Sequence, residues 1–294
     1  MTKPADELLF LPLGGAGEIG MNLNLYGCRG KWLMLDLGVT FADDTTPGLD
    51  VLMPDPAFIV ERRDDLLGIV LTHAHEDHLG AVPDLWPKLR CPVYATPFAA
   101  SVLSRKLHEV GLQDEVPVTV VPLGGHLSLP PFELEFVTMT HSIPEPNAVA
   151  IRTPHGVVLH TGDWKIDPAP LIGAVTDEPA LRRLGADGVL AMVCDSTNVF
   201  VPGEAGSESD VRARLEEVIR QQKALVAVTC FASNLARVES VAKAAVAADR
   251  HPVLVGRALH RMLTAAQENG YLIDFPTTVD ERDAGHIPRD KLCL

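Results

Sequence analysis

The run Leu67-Gly-Ile-Val-Leu-Thr-His-Ala-His-Glu-Asp-His78 carries an apolar stretch straight into His73, His75, Asp77 and His78, and Gly80 follows almost at once. The apolar part reads as a strand and the polar part as its end. On extended backbone, side chains alternate with period two, so His73 and His75 point the same way and can hold one metal ion together. As the chain turns after them, Asp77 and His78 swing towards a second ion beside the first. Imidazole combined with carboxylate favours zinc and also accepts manganese. The chemistry such a pair of ions offers is hydrolysis, with water activated near neutral pH. A polar loop that happens to be rich in histidine is the plainer alternative, and the tight spacing argues against it.

The chain around this segment has 294 residues, 47% of them hydrophobic, enough to bury one large or two ordinary cores. Its apolar runs, such as Ala224 to Ala232, fall short of the ~18 residues that a membrane-spanning helix needs. The N-terminus, Met-Thr-Lys-Pro-Ala-Asp-Glu, is unlike a signal peptide, so a cytoplasmic protein with no membrane partner is expected. Cys28, Cys91, Cys194, Cys230 and Cys293 are scattered and form no C-x-x-C pair, which argues against a disulfide framework or a thiolate zinc site. The formal net charge of −14 is unfavourable for binding nucleic acid through Lys and Arg. Bound dications or a locally basic groove would offset it.

Up to about residue 200 the pattern is one of short strands and turns with a few helices. Leu8 to Leu13, Leu23 to Tyr26 and Trp32 to Leu37 read as strands. Phe132, Leu134 and Phe136 alternate with Glu133 and Glu135, which predicts a strand with one wet face. Ala148 to Ile151 and Val157 to Leu159 flank a Pro154-His155-Gly156 turn and read as a hairpin, and Pro97 to Val110 reads as a helix. The texture changes after the loop Val201 to Gly206. Ser207 with Asp210 marks a helix start, Leu225 to Thr229 reads as a buried strand, and Leu235, Val238, Val241, Ala242 and Ala245 form a helix face. Val253 to Val255 reads as another strand, followed by a helix through Gln267, and Lys291 to Leu294 as the start of one more. Strand alternating with helix predicts a second, α/β domain with a parallel sheet, beginning near residue 207. With so few strands in it, the sequence reads as a C-terminally truncated chain.

H-x-H-x-D-H after an apolar strand resembles the signature of the metallo-β-lactamase superfamily. The resemblance implies an αββα sandwich of two mixed sheets with helices outside and metals at one sheet edge. It also implies further site residues. Asp36 matches an aspartate that supports the site from behind the ligands. His141, in Thr140-His-Ser-Ile-Pro144, matches the third histidine of the first metal, and Asp163, in His160-Thr-Gly-Asp-Trp-Lys165, matches the carboxylate bridging both metals. His160 lies close enough to be a supporting residue. The segments Gly14-Gly-Ala-Gly-Glu-Ile-Gly-Met-Asn22, Thr140 to Glu145, His160 to Asp167 and Cys194-Asp-Ser-Thr-Asn198 are similar to motifs of the ribonuclease J branch. Phe231-Ala-Ser-Asn234 and Val253-Leu-Val-Gly-Arg257 resemble the opening of its β-CASP domain.

The resemblance therefore implies residues 1–206 as the main part of a metallo-β-lactamase domain and 207–294 as a partial β-CASP domain. It implies a ribonuclease, exonuclease or endonuclease, holding two zinc ions, with manganese as a substitute. The metals would sit on His73, His75, Asp77, His78, His141 and Asp163, with Asp36, Asp77 and Asp163 serving catalysis. Ser196, Thr197, Asn198, Ser233 and Arg257 are the residues expected to meet RNA. Self-association and other RNA-decay proteins are the implied partners, the former in doubt for a shortened chain. Two other readings stay open: a hydrolase of a small ester, thioester or lactone, and a non-catalytic fragment.

Overall fold

The computed structural model describes residues 6–294. Residues 1–5, most of the stretch judged unlike a signal peptide, lie outside the described residues. Contacts divide the chain into two compact units. The first holds the residues up to Met139 with Glu145–Trp164 and Thr176–Pro202, and the second holds Thr140–Pro144, Lys165–Val175 and Gly203–Leu294.

In the first unit, β1 (Leu8–Gly14), β2 (Leu23–Cys28) and β3 (Lys31–Leu35) form an antiparallel meander. A two-residue ribbon of β4 (Thr40–Phe41) and β5 (Val51–Leu52) and the short helix α1 (Ala57–Val60) come next. The chain then returns as β6 (Leu66–Val70), parallel to β3, and is followed by helices α2 (Glu76–Leu79) and α3 (Val82–Leu89). Strands β7 (Val93–Ala95) and β8 (Val118–Val120), separated by α4 (Pro97–Glu109), complete a mixed sheet ordered β1-β2-β3-β6-β7-β8.

The second sheet contains β9 (His126–Leu129), β10 (Phe132–Thr138), β11 (Asn147–Thr153) and β12 (Gly156–His160), all antiparallel neighbours. After helix α5 (Glu178–Asp187), β13 (Ala191–Val193) adds in parallel to β12 at the edge. Tyr26, Leu33, Leu35 and Val70 of the first sheet and Phe132, Leu134, Phe136, Val149 and Ile151 of the second are buried in one cluster, so the sheets pack face to face. The predicted strands, hairpin and Pro97 helix are present, and the sandwich of mixed sheets agrees with the expected class.

One expectation about β10 is corrected. Glu133 is exposed, but Glu135 is only 5% exposed, so the outer face is not wet. Helix α5 lies over that face, its Ala180 and Leu184 packing with Val137, Ala148 and Ala150. Glu135 is accommodated there by ion pairs to Arg152 and Arg183.

In the second unit, α6 (Glu208–Gln221) is capped by the Ser207 side chain accepting from the Ser209 amide, and α7 (Leu235–Ala247) by Asn234 accepting from the Arg237 amide. Strand β14 (His251–Pro252), helix α8 (Arg257–Glu268) and strand β15 (Leu292–Cys293) follow, β14 and β15 pairing in parallel. The strand predicted at Leu225 to Thr229 is reduced to a single parallel bridge between Val226 and Cys293, and Leu225 is 40% exposed. Its amides bond on one side only, to the carbonyls of Leu292 and Leu294. The strand expected at Val253 to Val255 is displaced, with Val253 making only an isolated bridge to Val279. Arg250, nearly buried, ties this region together through the carbonyls of Gln222, Ala224 and Leu292. Among the described residues, no helix is long and apolar enough to cross a membrane.

Glu135 yields a test of the first unit's packing. Burial pushes its carboxyl up, but the Arg183 and Arg152 guanidinium groups outweigh burial and hold it below the usual glutamate range. A depressed folded-state pKa stabilises the fold above the unfolded value of about 4.3, and that contribution is lost as pH falls through the folded value. Urea denaturation should therefore show Glu135→Gln less stable than wild type at pH 7, with the gap closing as pH falls from about 5 towards 3.

Candidate metal centre

Strand β6 is central in its sheet, paired with β3 on one side and β7 on the other, and its end delivers Thr72 and His73 in fully buried backbone. Helix α2 begins directly after His75, whose own backbone is still extended. A second segment holds this turn from beside it. The amides of Leu37 and Val39 donate to the carbonyls of His78 and Glu76, and the amide of Asn22 donates to that of Asp77. Gly38 lies so close that a Cβ there would stand 1.6 Å from the Asp77 carbonyl oxygen. The ligand-bearing turn is thus clamped by backbone, and only glycine fits at the clamp.

Asp36 follows β3 with a left-handed φ of 63° and is fully buried. Its carboxylate accepts from the Thr72 amide at 2.8 Å and the Thr72 hydroxyl at 2.8 Å, and lies 2.7 Å from His78 Nδ1. Because the Thr72 proton goes to Asp36, the Thr72 oxygen accepts from His73 Nδ1 at 3.0 Å. Both imidazoles therefore carry a proton on Nδ1 and turn Nε2 to the site. Nε2 of His78 faces Asp163 at 3.3 Å and Asp77 at 3.5 Å. Nε2 of His73 lies 3.0 Å from Nδ1 of His75.

Two groups of potential ligand atoms result, each with all its atoms within 4.8 Å of one another: His73, His75, His141 and Asp163, and Asp77, His78 and Asp163. Asp163 is common to both. This donor set fits divalent cations. Two nitrogens ~2.1 Å from one tetrahedral zinc stand roughly 3.4 Å apart, close to the His73–His75 spacing. The electrostatics agree. Burial works against charge on His78, yet Asp36, Asp163 and Asp77 outweigh it and hold its pKa well above the ordinary histidine range. Burial likewise opposes the charge on Asp77, but the bond from His78 prevails and its pKa is lowered. So strong a negative potential in a buried place is satisfied equally by metal, with the histidine proton released.

A cleft of about 460 Å³ opens beside Asp77, His78 and Asp163. The glycine-rich turn Gly15 to Gly20 borders it, with left-handed backbone at Gly15, Gly17 and Gly20, as do His160 and Cys194 to Thr197. Ser196 and Thr197, two of the residues expected to meet RNA, line this cleft. Asn198, Ser233 and Arg257 are not among its lining residues, the last two belonging to the second unit. Thr72, Gly38 and Tyr26 were not singled out in the sequence. Thr72, wedged between a strand and the first histidine, was the one with a visible signal.

Two substitutions probe this scaffold. Gly38→Ala should displace the turn and cost about 3 kcal/mol, since the atom it meets is backbone. Thr72→Val removes the donor to Asp36 and the acceptor for His73, and should weaken metal affinity about 10- to 100-fold while the protein stays folded. Chemical denaturation and competition with a coloured chelator measure the two effects.

The profile of the metallo-β-lactamase superfamily matches residues 26–183, and that of the ribonuclease J β-CASP domain matches residues 223–294. A protein named ribonuclease J from Sinorhizobium meliloti is 47% identical over 98% of this chain and 52% of its own length. Namesakes from Mycolicibacterium smegmatis and Thermus thermophilus are 42% and 37% identical, over 96% and 92% of this chain and 50% and 48% of their lengths. The chain spans about half the length of these curated relatives. A solved structure, a protein of unknown function from Enterococcus faecalis V583, superposes with a TM-score of 0.64 at 14% identity, covering 98% of this chain and 77% of that one. At that identity the likeness speaks for the fold alone. With a sandwich of two mixed sheets, a His/Asp cluster at the end of β6 and a profile match over more than half of the chain, this protein belongs to the metallo-β-lactamase superfamily.

Proposed function

We propose that this chain carries the metal centre of a ribonuclease of the ribonuclease J type, hydrolysing RNA phosphodiester bonds. The observation that carries the reading is the pairing of two ligand groups through one shared carboxylate, Asp163, beside an open cleft. The match of residues 223–294 to the β-CASP domain and the relatives named ribonuclease J favour RNA over a small ester, thioester or lactone.

In this reading His73, His75 and His141 would hold one ion and Asp77 and His78 the other, with Asp163 available to both. Two zinc ions suit these donors, with manganese as a substitute. When bound, such ions supply Lewis acidity towards phosphoryl oxygens and a source of hydroxide near neutral pH. The chain's own residues do the rest. Asp36 and Thr72 fix the tautomers and aim of His78 and His73. Ser196 and Thr197 offer hydroxyl groups along the cleft to a ribose-phosphate backbone. Residues 1–206 would act as the catalytic domain and 207–294 as part of the β-CASP domain. Free thiols at all five cysteines suit a cytoplasmic setting. Self-association and contact with other RNA-decay proteins belong to the same proposal.

The test uses the polypeptide that carries this chain, with 5′-monophosphorylated RNA and a thioester as competing substrates. RNA cleavage that chelation abolishes and zinc or manganese restores is expected. His73→Ala should lower it by about two orders of magnitude or more. Metal-dependent thioester hydrolysis with inert RNA would overturn the proposal.

A further inference from the structure

His160 ends β12 and borders the same cleft as His78 and Asp163, yet the mechanism above leaves it unused. It is only 5% exposed. Its Nδ1 lies 2.9 Å from the hydroxyl of Tyr26, which reaches it from β2 in the opposite sheet, the two rings edge to face at 6.0 Å. Tyr26 is fully buried and has no other hydrogen-bond partner among the described residues. If His160 were the donor in this pair, the Tyr26 proton would be buried without an acceptor, which is costly. The satisfied arrangement has Tyr26 O–H donating to Nδ1, which puts the imidazole proton on Nε2. Nε2 has no partner among the described residues, and the ring borders open space.

Burial also favours the uncharged ring. Burial pushes its pKa down to about 4, Asp36 and Asp163 opposing and His78 adding to the shift. A protonated imidazole here would compete for Asp163 with anything that the carboxylate binds. A neutral ring puts no positive charge beside Asp163 and still offers a hydrogen bond to an anionic oxygen.

We propose that His160 contacts the substrate, its Nε2–H donating to a non-bridging oxygen of the phosphoryl group in the cleft, and that Tyr26 is the positioning residue that fixes this tautomer. The proposal rests on the phosphodiester reading above.

The test uses the zinc-loaded 294-residue chain with inorganic phosphate as the probe. Nitrogen-15 NMR of the histidines should show His160 as the Nε2–H tautomer, with its Nε2 resonance moving as phosphate is added. By calorimetry, His160→Ala should weaken phosphate binding about tenfold. His160→Gln, which returns an N–H, should recover part of the loss. Tyr26→Phe should mix the tautomers and weaken binding a few-fold. Zinc content should stay at the wild-type level in all three. If phosphate binds wild type while His160 carries its proton on Nδ1, or its resonance ignores phosphate, the role of His160 is overturned and the phosphodiester reading stands. Loss of zinc in His160→Gln would likewise overturn it, by showing that His160 supports the metal ligands. Absence of phosphate binding to zinc-loaded wild type would overturn both. Should His160→Ala fail to fold, the wild-type spectrum and the other two variants decide the matter.

Discussion

A carboxylate with no exposure to solvent, receiving two hydrogen bonds from Thr72 and one from His78, sets the geometry on which the rest of the centre depends. Asp36 is itself held by the sheet, since its amide donates to the Val70 carbonyl at the end of β6. Strands β3 and β6 are packed into the sandwich, so neither end of this linkage can drift. The carboxylate chooses which nitrogen of His78 is free, and through Thr72 it makes the same choice for His73. Removing it would leave buried donors without acceptors and two imidazoles without a fixed orientation, a heavier penalty than losing one ordinary hydrogen bond.

The same logic of charge bears on how a chain of net charge −14 would admit a phosphate group, the substrate chemistry proposed for it. The acidic groups concentrated at the centre repel phosphate as they stand. Bound dications would reverse the local sign, so that attraction for phosphate would arise at the metal centre and not over the general surface. In the role proposed for it, the neutral imidazole of His160 would add a donor without adding positive charge beside Asp163.

Much of the centre was readable because its spacing is local. His73 and His75 share a side of extended backbone, and Asp77 and His78 follow on the turn, an arrangement that needs no knowledge of distant residues. Asp36, His141 and Asp163 came through likeness to a superfamily, and the structure brings His141 and Asp163 within ligand distance of His73 and His75. What escaped was tertiary. The burial of Glu135 comes from α5 lying across β10, which no alternation along a single strand reveals. The role of Gly38 comes from close approach to Asp77, far along the chain, and that of Tyr26 from a partner on the opposite sheet. Leu225 to Thr229 has the composition of a buried strand but pairs on one side only, so its propensity was right and its surroundings were not.

Asp163 is common to both groups of potential ligands, and metal titration of Asp163→Asn followed by elemental analysis shows whether two ions depend on it. Wild type should bind two divalent ions per chain. The asparagine variant, similar in shape but lacking the bridging charge, should lose affinity at both sites together. Loss at one site with the other unchanged, or a wild-type protein that takes up no transition metal, would show that Asp163 is not shared between two ions.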